Sequence, residues 1–196
     1  MRNRTRKLLL TVLVIGIVGT VAGVGTFSAF SSTTSNDGNL FAAGTVTISD
    51  NDSGAAMYSV SNAKPGDSAQ SCIKVTYAGS LAANVRLYTN STIGSLGSHL
   101  TLVVTPGTGS VSFGSSCTNF TADAGGAIYD GTLSNFASTY SNFSSGLALN
   151  NSSGSASWSQ NDAVVYKFQI SIPSSDTTGG GLTSGSHSFS WEAQNT

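Results

Sequence analysis

Apolar and polar residues alternate along most of the chain after about residue 44, in short runs separated by polar and glycine-rich segments. In "SCIKVTY", for example, Ile73, Val75 and Tyr77 fall on one face. A period of two residues is typical of a β-strand with one buried face. The same alternation recurs in five other runs, namely "GTVTIS", "NVRLYT", "HLTLVVT", "AVVYKFQISI" and "SFSWEA". The pattern predicts strands throughout and no long helix.

Turn sequences separate these runs. Proline presets the backbone φ angle and glycine tolerates positive φ, so their clusters indicate turns. Such clusters occur at residues 64–67, 105–107, 130–131 and 179–181. Short strands joined by turns predict an antiparallel sandwich or barrel, and we expect an all-β, jelly-roll-like sandwich.

The segment 133–159 departs from this pattern because serine, glycine and asparagine dominate it. Phe136, Tyr140 and Phe143 are spaced four and three residues apart. Side chains at these spacings lie on one face of a helix. A short helix or turn over one end of the sandwich is therefore predicted here.

The N-terminus has the layout of an export signal. Four basic residues within positions 2–7 precede an uncharged apolar stretch from Leu8 to about Val24, and small residues follow. This order is typical of a secretory signal peptide, although an apolar stretch of about 17 to 25 residues is also long enough for a retained membrane anchor. We expect a cleaved leader over residues 1–28, one domain over residues 29–196, and a secreted or cell-surface location.

Removal of such a leader changes the charge of the chain. It leaves four basic and nine acidic residues, a net charge of −5. The remaining basic residues, Lys64, Lys74, Arg86 and Lys167, are scattered along the sequence. Nucleic-acid binding needs clustered Lys and Arg that displace counterions from phosphates, so a DNA or RNA partner is not expected.

The chain contains two cysteines, Cys72 and Cys117. In an exported protein a disulfide between them is the natural expectation, because the compartment is oxidising. Two buried free thiols are the alternative.

Few residues are available for catalysis. The two histidines, His99 and His187, form no His-Glu-x-x-His pattern, and a catalytic zinc usually takes three protein ligands. Glu192 would have to join them from a distant strand. No Gly-x-Ser-x-Gly elbow, phosphate-binding loop or dinucleotide fingerprint is present. We therefore predict no enzyme activity, no metal and no cofactor.

Two tryptophans raise the alternative of sugar binding, since flat aromatic rings can present apolar faces to carbohydrates. Trp191 is in phase with Phe189 on an alternating strand, which favours core packing. Trp158 lies in a polar segment and is the candidate for a polysaccharide contact.

The region around the end of the leader carries a more specific signal. "GTFSAFSS" followed by "GNLFAAGTVTIS" resembles the start of the TasA/camelysin family of secreted bacterial proteins, with the motif Asn-x-Phe-x-x-Gly-Thr-x-x-Ile matched at positions 39, 41, 44, 45 and 48. "KPGDS" at residues 64–68, followed by "CIKVTYAGSLAANVRLY", is similar to a second landmark of that family. The resemblance covers about residues 8–90.

The resemblance implies an exported jelly-roll domain that serves as a fibre subunit of the extracellular or biofilm matrix. It also implies cleavage by a dedicated signal peptidase between Ser28 and Ala29. We expect the mature N-terminal segment, residues 29–49, to add as a strand to the open edge of another copy, with Phe41, Val46 and Ile48 as its apolar side chains, although these could equally pack in their own domain. Partners would be further copies, other matrix proteins or polysaccharide.

Two further functions stay open from the sequence. One is a monomeric cell-wall or polysaccharide-binding module. The other is a metallopeptidase, an activity ascribed to some relatives; because the sequence shows no zinc-ligand set, this activity is not carried over.

Overall fold

Two antiparallel β-sheets face each other in the computed structural model, which describes residues 43–196. In chain order the strands are β1 (Ile48–Asp50), β2 (Ser68–Tyr77), β3 (Ala83–Tyr88), β4 (Thr101–Thr108), β5 (Thr121–Ala122), β6 (Tyr129–Thr132), β7 (Leu147–Leu149), β8 (Ser157–Trp158), β9 (Ala163–Ser171) and β10 (Ser190–Asn195). The first sheet has the order β1-β2-β9-β4-β5, and β6 also pairs with β4. The second has the order β10-β3-β7, and β8 also pairs with β3. The predicted all-β antiparallel sandwich is confirmed.

Alternation in the sequence determines which side of each strand is buried. In β2, Ile73 and Val75 are fully buried whereas Lys74 between them is exposed. In β3, Val85 and Leu87 alternate with half-buried residues in the same way. Successive side chains point to opposite faces of a strand, so one face of each sheet is apolar and both apolar faces meet between the sheets.

The core between the sheets is rich in aromatic rings. Phe168 of β9 packs against Phe189 and Trp191, with ring centroids 4.9 and 5.8 Å apart. Phe136 and Tyr129 form an edge-to-face pair at 4.9 Å. Full burial of one large apolar side chain contributes about 1.5–3 kcal/mol, so this shared interior is the main source of stability.

Two short helices lie between strands of the sandwich: a 3₁₀ helix (Ser95–Ser98) and α1 (Leu133–Thr139). α1 begins after Thr132, whose hydroxyl accepts a hydrogen bond from the Asn135 N–H at 3.1 Å and caps the helix. Its buried face presents Leu133 and Phe136 to the core. The short helix predicted around Phe136 is present, and it ends before Phe143.

Two of the predicted turns are wrong. Residues 105–107 lie inside β4, where the Pro106 carbonyl accepts from the Asp123 N–H at 3.0 Å. Pro106 lies between the part of β4 that pairs with β6 and the part that pairs with β5. No backbone N–H is needed there to pair with a neighbouring strand, so proline is tolerated.

The second wrong turn is at Asp130 and Gly131, which lie inside β6. The Tyr129 side chain folds across Gly131 and donates to the Thr132 carbonyl at 2.7 Å. A Cβ on Gly131 would approach the Tyr129 hydroxyl to 2.9 Å. Glycine is needed here for a side chain to pass close to the strand, not for a turn.

The outer face of the first sheet carries a second, smaller apolar cluster. The chain between β4 and β5, residues 109–120, crosses this face; we call this segment the cover. Its Val111 is buried together with Cys72 of β2 and Val165 of β9, and Cys117 and Phe120 pack against them. Cys72 and Cys117 form the predicted disulfide.

Among residues 43–196, none of the helices is long and apolar enough to cross a bilayer. The predicted leader and its cleavage position, Ser28 and Ala29, lie outside the described residues, as does Phe41.

Candidate functional site

An open cleft of about 780 Å³ lies at one edge of the sandwich. Its walls are the connection from β1 to β2, the adjoining ends of β2 and β9, and the segment that leads into β10. Apolar side chains line much of it: Met57, Tyr58, Leu100, Ile170, Ile172, Phe189 and Trp191. An apolar cleft of this size, with a few polar groups, has the character of a binding site.

Tyr58 and His187 form the polar contact inside the cleft. The Tyr58 hydroxyl lies 2.7 Å from His187 Nε2, and His187 Nδ1 lies 3.1 Å from the Gly185 carbonyl. Because a carbonyl oxygen only accepts, Nδ1 is the donor to Gly185, and in that tautomer Nε2 accepts from the Tyr58 hydroxyl. Burial raises the pKa of Tyr58 well above its usual value, so this hydroxyl stays a neutral donor.

Trp191 also lines the cleft with part of its ring. Its indole Nε1 is buried and has no hydrogen-bond partner among the described residues. A buried donor without an acceptor costs about 1–3 kcal/mol.

One edge of β10 is free beside the cleft. β10 pairs with β3 along its whole length, and among residues 43–196 no strand pairs with its other edge. A narrow groove of about 250 Å³ continues from the cleft between β10 and β1, and Phe189 and Trp191 line both. The cleft and the groove therefore adjoin the start of β10 at Ser190 and Trp191.

The segment before β1 is tied to the opposite end of the domain. The cleft lies where β2 begins, at Ser68 and Ala69. β1 pairs with the end of β2, with Ile48 opposite Tyr77, and the Leu81 N–H donates to the Thr45 carbonyl at 3.2 Å. A ten-residue strand such as β2 spans about 30 Å, so Thr45 lies far from the cleft wall at Ser68 and Ala69.

Of the predicted assembly residues, Ile48 is partly buried and packs against the core of its own domain. Val46 is 37% exposed.

The candidate metal ligands lie in separate local contacts. His99 Nδ1 is 2.6 Å from Asp176 Oδ2, whereas Glu192 accepts from the Tyr88 hydroxyl at 2.8 Å. Within residues 43–196, no group of three or more His, Cys, Asp or Glu side chains is placed to hold a metal ion. The residues that the structure describes do not fit a zinc site.

Asp176 organises the loop after β9. Its carboxylate accepts from the backbone N–H groups of Thr178 and Gly179, at 2.7 and 2.8 Å. These two bonds, together with the contact to His99, hold the pKa of Asp176 below its usual value.

Trp158 is fully buried, and its indole N–H donates to the Leu149 carbonyl at 2.9 Å. Its ring therefore cannot serve as a platform for sugars. The structure uses it as the largest side chain of the core instead.

Sequence reasoning missed the cleft. Its wall contains Met57, Tyr58 and Val60, which lie in a loop without alternation. Three large apolar residues in an otherwise polar loop were the available signal.

These features define an exposed-edge β-sandwich with an apolar cleft and, among the described residues, no ligand set for a metal. The sequence model of the camelysin metallo-endopeptidase family matches residues 4–99. Over that stretch the chain is similar to this family, and the predicted TasA/camelysin resemblance is confirmed. Among curated proteins, none matches the chain.

Proposed function

We propose that this chain is an exported structural protein whose copies assemble into surface or matrix fibres. The single observation that carries the proposal is the apolar cleft that adjoins the start of β10, a strand whose second edge pairs with no other strand among residues 43–196. Added strands satisfy the unpaired backbone groups of a sheet edge while alternate side chains enter apolar pockets. The family match is consistent with this role, and the family's name also denotes a peptidase activity for which the described residues offer no ligand group.

The donor in this proposal is the N-terminal segment of another copy. Residues 45–50 are already bonded within their own domain, through the Thr45 carbonyl and the pairing of β1 with β2. The segment left to donate is residues 29–42, which contains Phe41 as an apolar side chain. Thr45, where this segment joins the domain, lies at the end opposite the cleft wall at Ser68 and Ala69, and in this proposal the cleft that the segment fills belongs to the next copy.

Deletion of residues 29–38 tests the donor. The chain that begins at Ala29 should form fibres visible by electron microscopy, and the shortened chain should stay monomeric in analytical ultracentrifugation. Fibres from the shortened chain would contradict strand donation by this segment.

Substitution in the cleft tests the acceptor. Ala56 lines the cleft and is exposed, so Ala56→Trp should fill the cleft without disturbing the core. We expect fibre growth, measured by light scattering, to be at least tenfold slower. Ala124→Trp is the matched control, because Ala124 is exposed in a turn that does not line the cleft. Equal growth of both variants would contradict the choice of acceptor.

A further inference from the structure

The outer edge of β2 is a second edge of the sandwich at which strands could add. β2 pairs with β9 from Ser68 to Thr76 on one side, but β1 covers only Val75 to Tyr77 on the other. The remaining outer edge, residues 68–74, would present unpaired backbone groups to other chains. Exposed strand edges of this kind are templates for unwanted pairing.

The cover closes the middle of this edge. The Cys72 N–H donates to the Gly114 carbonyl at 2.9 Å, and the Gly114 N–H donates to the Cys72 carbonyl at 3.2 Å. Backbone groups two residues apart point to the same edge, so those of Gln70 and Lys74 face outward as well. The Lys74 N–H donates to the Asn51 side-chain oxygen at 2.8 Å.

Side chains reinforce the position of the cover. Asn51 Nδ2 donates to the Val111 carbonyl at 3.4 Å, so one asparagine joins the β2 edge to the cover. Gln70 Nε2 donates to the Ser115 carbonyl at 3.0 Å. The contacts follow the edge from Gln70 to Lys74.

The backbone of the cover is unfavourable without a constraint. Gly109, Gly114, Cys117 and Asn119 all have positive φ angles, of 133°, 126°, 45° and 66°. Cysteine adopts this region at a cost that glycine does not have. Val111 is the only buried residue of the cover, so the disulfide between Cys72 and Cys117 is the constraint that fixes the segment.

We propose that the outer edge of β2 is a second docking edge for another copy of this chain, and that the disulfide-linked cover keeps it closed. Closure leaves the free edge of β10 as the edge at which copies add. This last statement rests on the proposed function, whereas the closure of the β2 edge does not.

The test uses the chain that begins at Ala29, with Cys72→Ser and Cys117→Ser combined. Circular dichroism reports the fold, and hydrogen exchange reports residues 70–74. We expect at least tenfold faster exchange of the amides of residues 72 and 74, and new oligomers in analytical ultracentrifugation. Adding Gln70→Pro should suppress these oligomers at least fivefold, because it removes an outward N–H from the edge.

Gly114→Ala keeps the disulfide and tests the same point in a second way. No atom lies within 4 Å of the position of its added Cβ, so only the backbone preference at φ 126° changes. We expect faster exchange at Cys72 and weak self-association. Gly154→Ala is the matched control, because Gly154 also has a positive φ of 83° and open space, in a turn away from β2. If the double cysteine variant unfolds, amide exchange and self-association of the Gly114→Ala variant are the test of the proposal.

Two results would overturn the proposal. One is unchanged amide exchange at residues 72 and 74 in a folded variant, and the other is faster exchange there in a variant that stays monomeric. The deletion of residues 29–38 separates it from the proposed function. Oligomers of the cysteine variant should persist in that background, whereas fibres of the disulfide-bonded chain should not. Loss of both kinds of assembly on deletion would also overturn the β2-edge proposal.

Discussion

The two faces of the first sheet are stabilised in different ways, although the same strands form both. On the inner face, buried residues of β2, β4 and β9 join one large cluster with the second sheet. On the outer face, the buried hydrophobic cluster of the described residues consists of Cys72 and Val165 of the sheet and Val111 of the cover. Many weak contacts secure the inner face, whereas a covalent bond secures the outer one.

The difference teaches where a sandwich needs a crosslink. Burial of apolar area contributes in proportion to the area removed from water, so a large cluster stabilises itself. Three buried side chains contribute too little to order a twelve-residue segment, because each ordered residue loses about 1–2 kcal/mol of backbone entropy. The disulfide therefore supplies the stabilisation of the cover that the small outer cluster cannot provide.

The largest effect is expected from a truncation in the inner cluster. Trp158→Ala removes a fully buried ring and leaves the Leu149 carbonyl without its donor. We expect the free energy of unfolding to fall by about 3–5 kcal/mol, measured by urea denaturation. A loss below about 1 kcal/mol would mean that the inner cluster does not carry the fold.

The double variant Cys72→Ser with Cys117→Ser should cost less. The disulfide closes a loop with a sequence separation of 45 residues, and such crosslinks contribute about 2–4 kcal/mol. Urea denaturation of both forms measures the difference. A larger loss than for Trp158→Ala would reverse the order of the two faces.

Adjacent residues of β9 give the sharpest comparison. Val164 faces the inner cluster and Val165 the outer one, and both are buried. Val164→Ala should lower the free energy of unfolding by about 1.5–3 kcal/mol, and Val165→Ala by about 1 kcal/mol, since the cover can relax into the space. Equal losses would show that the outer cluster is packed as rigidly as the core.

The smallest effect is a pH dependence outside both clusters. The pKa of Asp176 is lowered in the folded chain, so its contribution to stability is complete above its ordinary value of 3.8 and is lost as pH falls below it. Asp176→Asn should therefore lower the thermal midpoint near about pH 6, and the difference should shrink as the pH falls below 3.8. Asp130→Asn, at an exposed position of β6, is the control. A difference that grows at low pH would contradict the sign.

Alternation was sufficient to predict the inner face. Ile73, Val75 and Tyr77 were expected on one side of a strand and are fully buried there. The pairing of Cys72 and Cys117 was predicted from the exported character of the sequence. The outer cluster was not, because Val111 and Phe120 lie in an irregular segment without a period.

Glycine and proline were the least reliable guides. Pro106 and Gly131 were expected in turns and lie in strands, because one occupies a gap between neighbouring strands and the other lets Tyr129 pass. The cleft could not be predicted either, since it depends on how residues from positions 52 to 191 come together. Local sequence carries no information on such distant contacts.

The attachment of the N-terminal segment at Thr45 and Leu81, opposite the cleft, has a consequence for any fibre built as proposed. The contact between copies is head-to-tail, which generates open filaments instead of closed pairs. Such a filament is polar: an empty cleft terminates one tip, and a free N-terminal segment terminates the other. Chains without residues 29–38 could still accept a donor at their cleft, and each would then terminate growth at the tip where it bound.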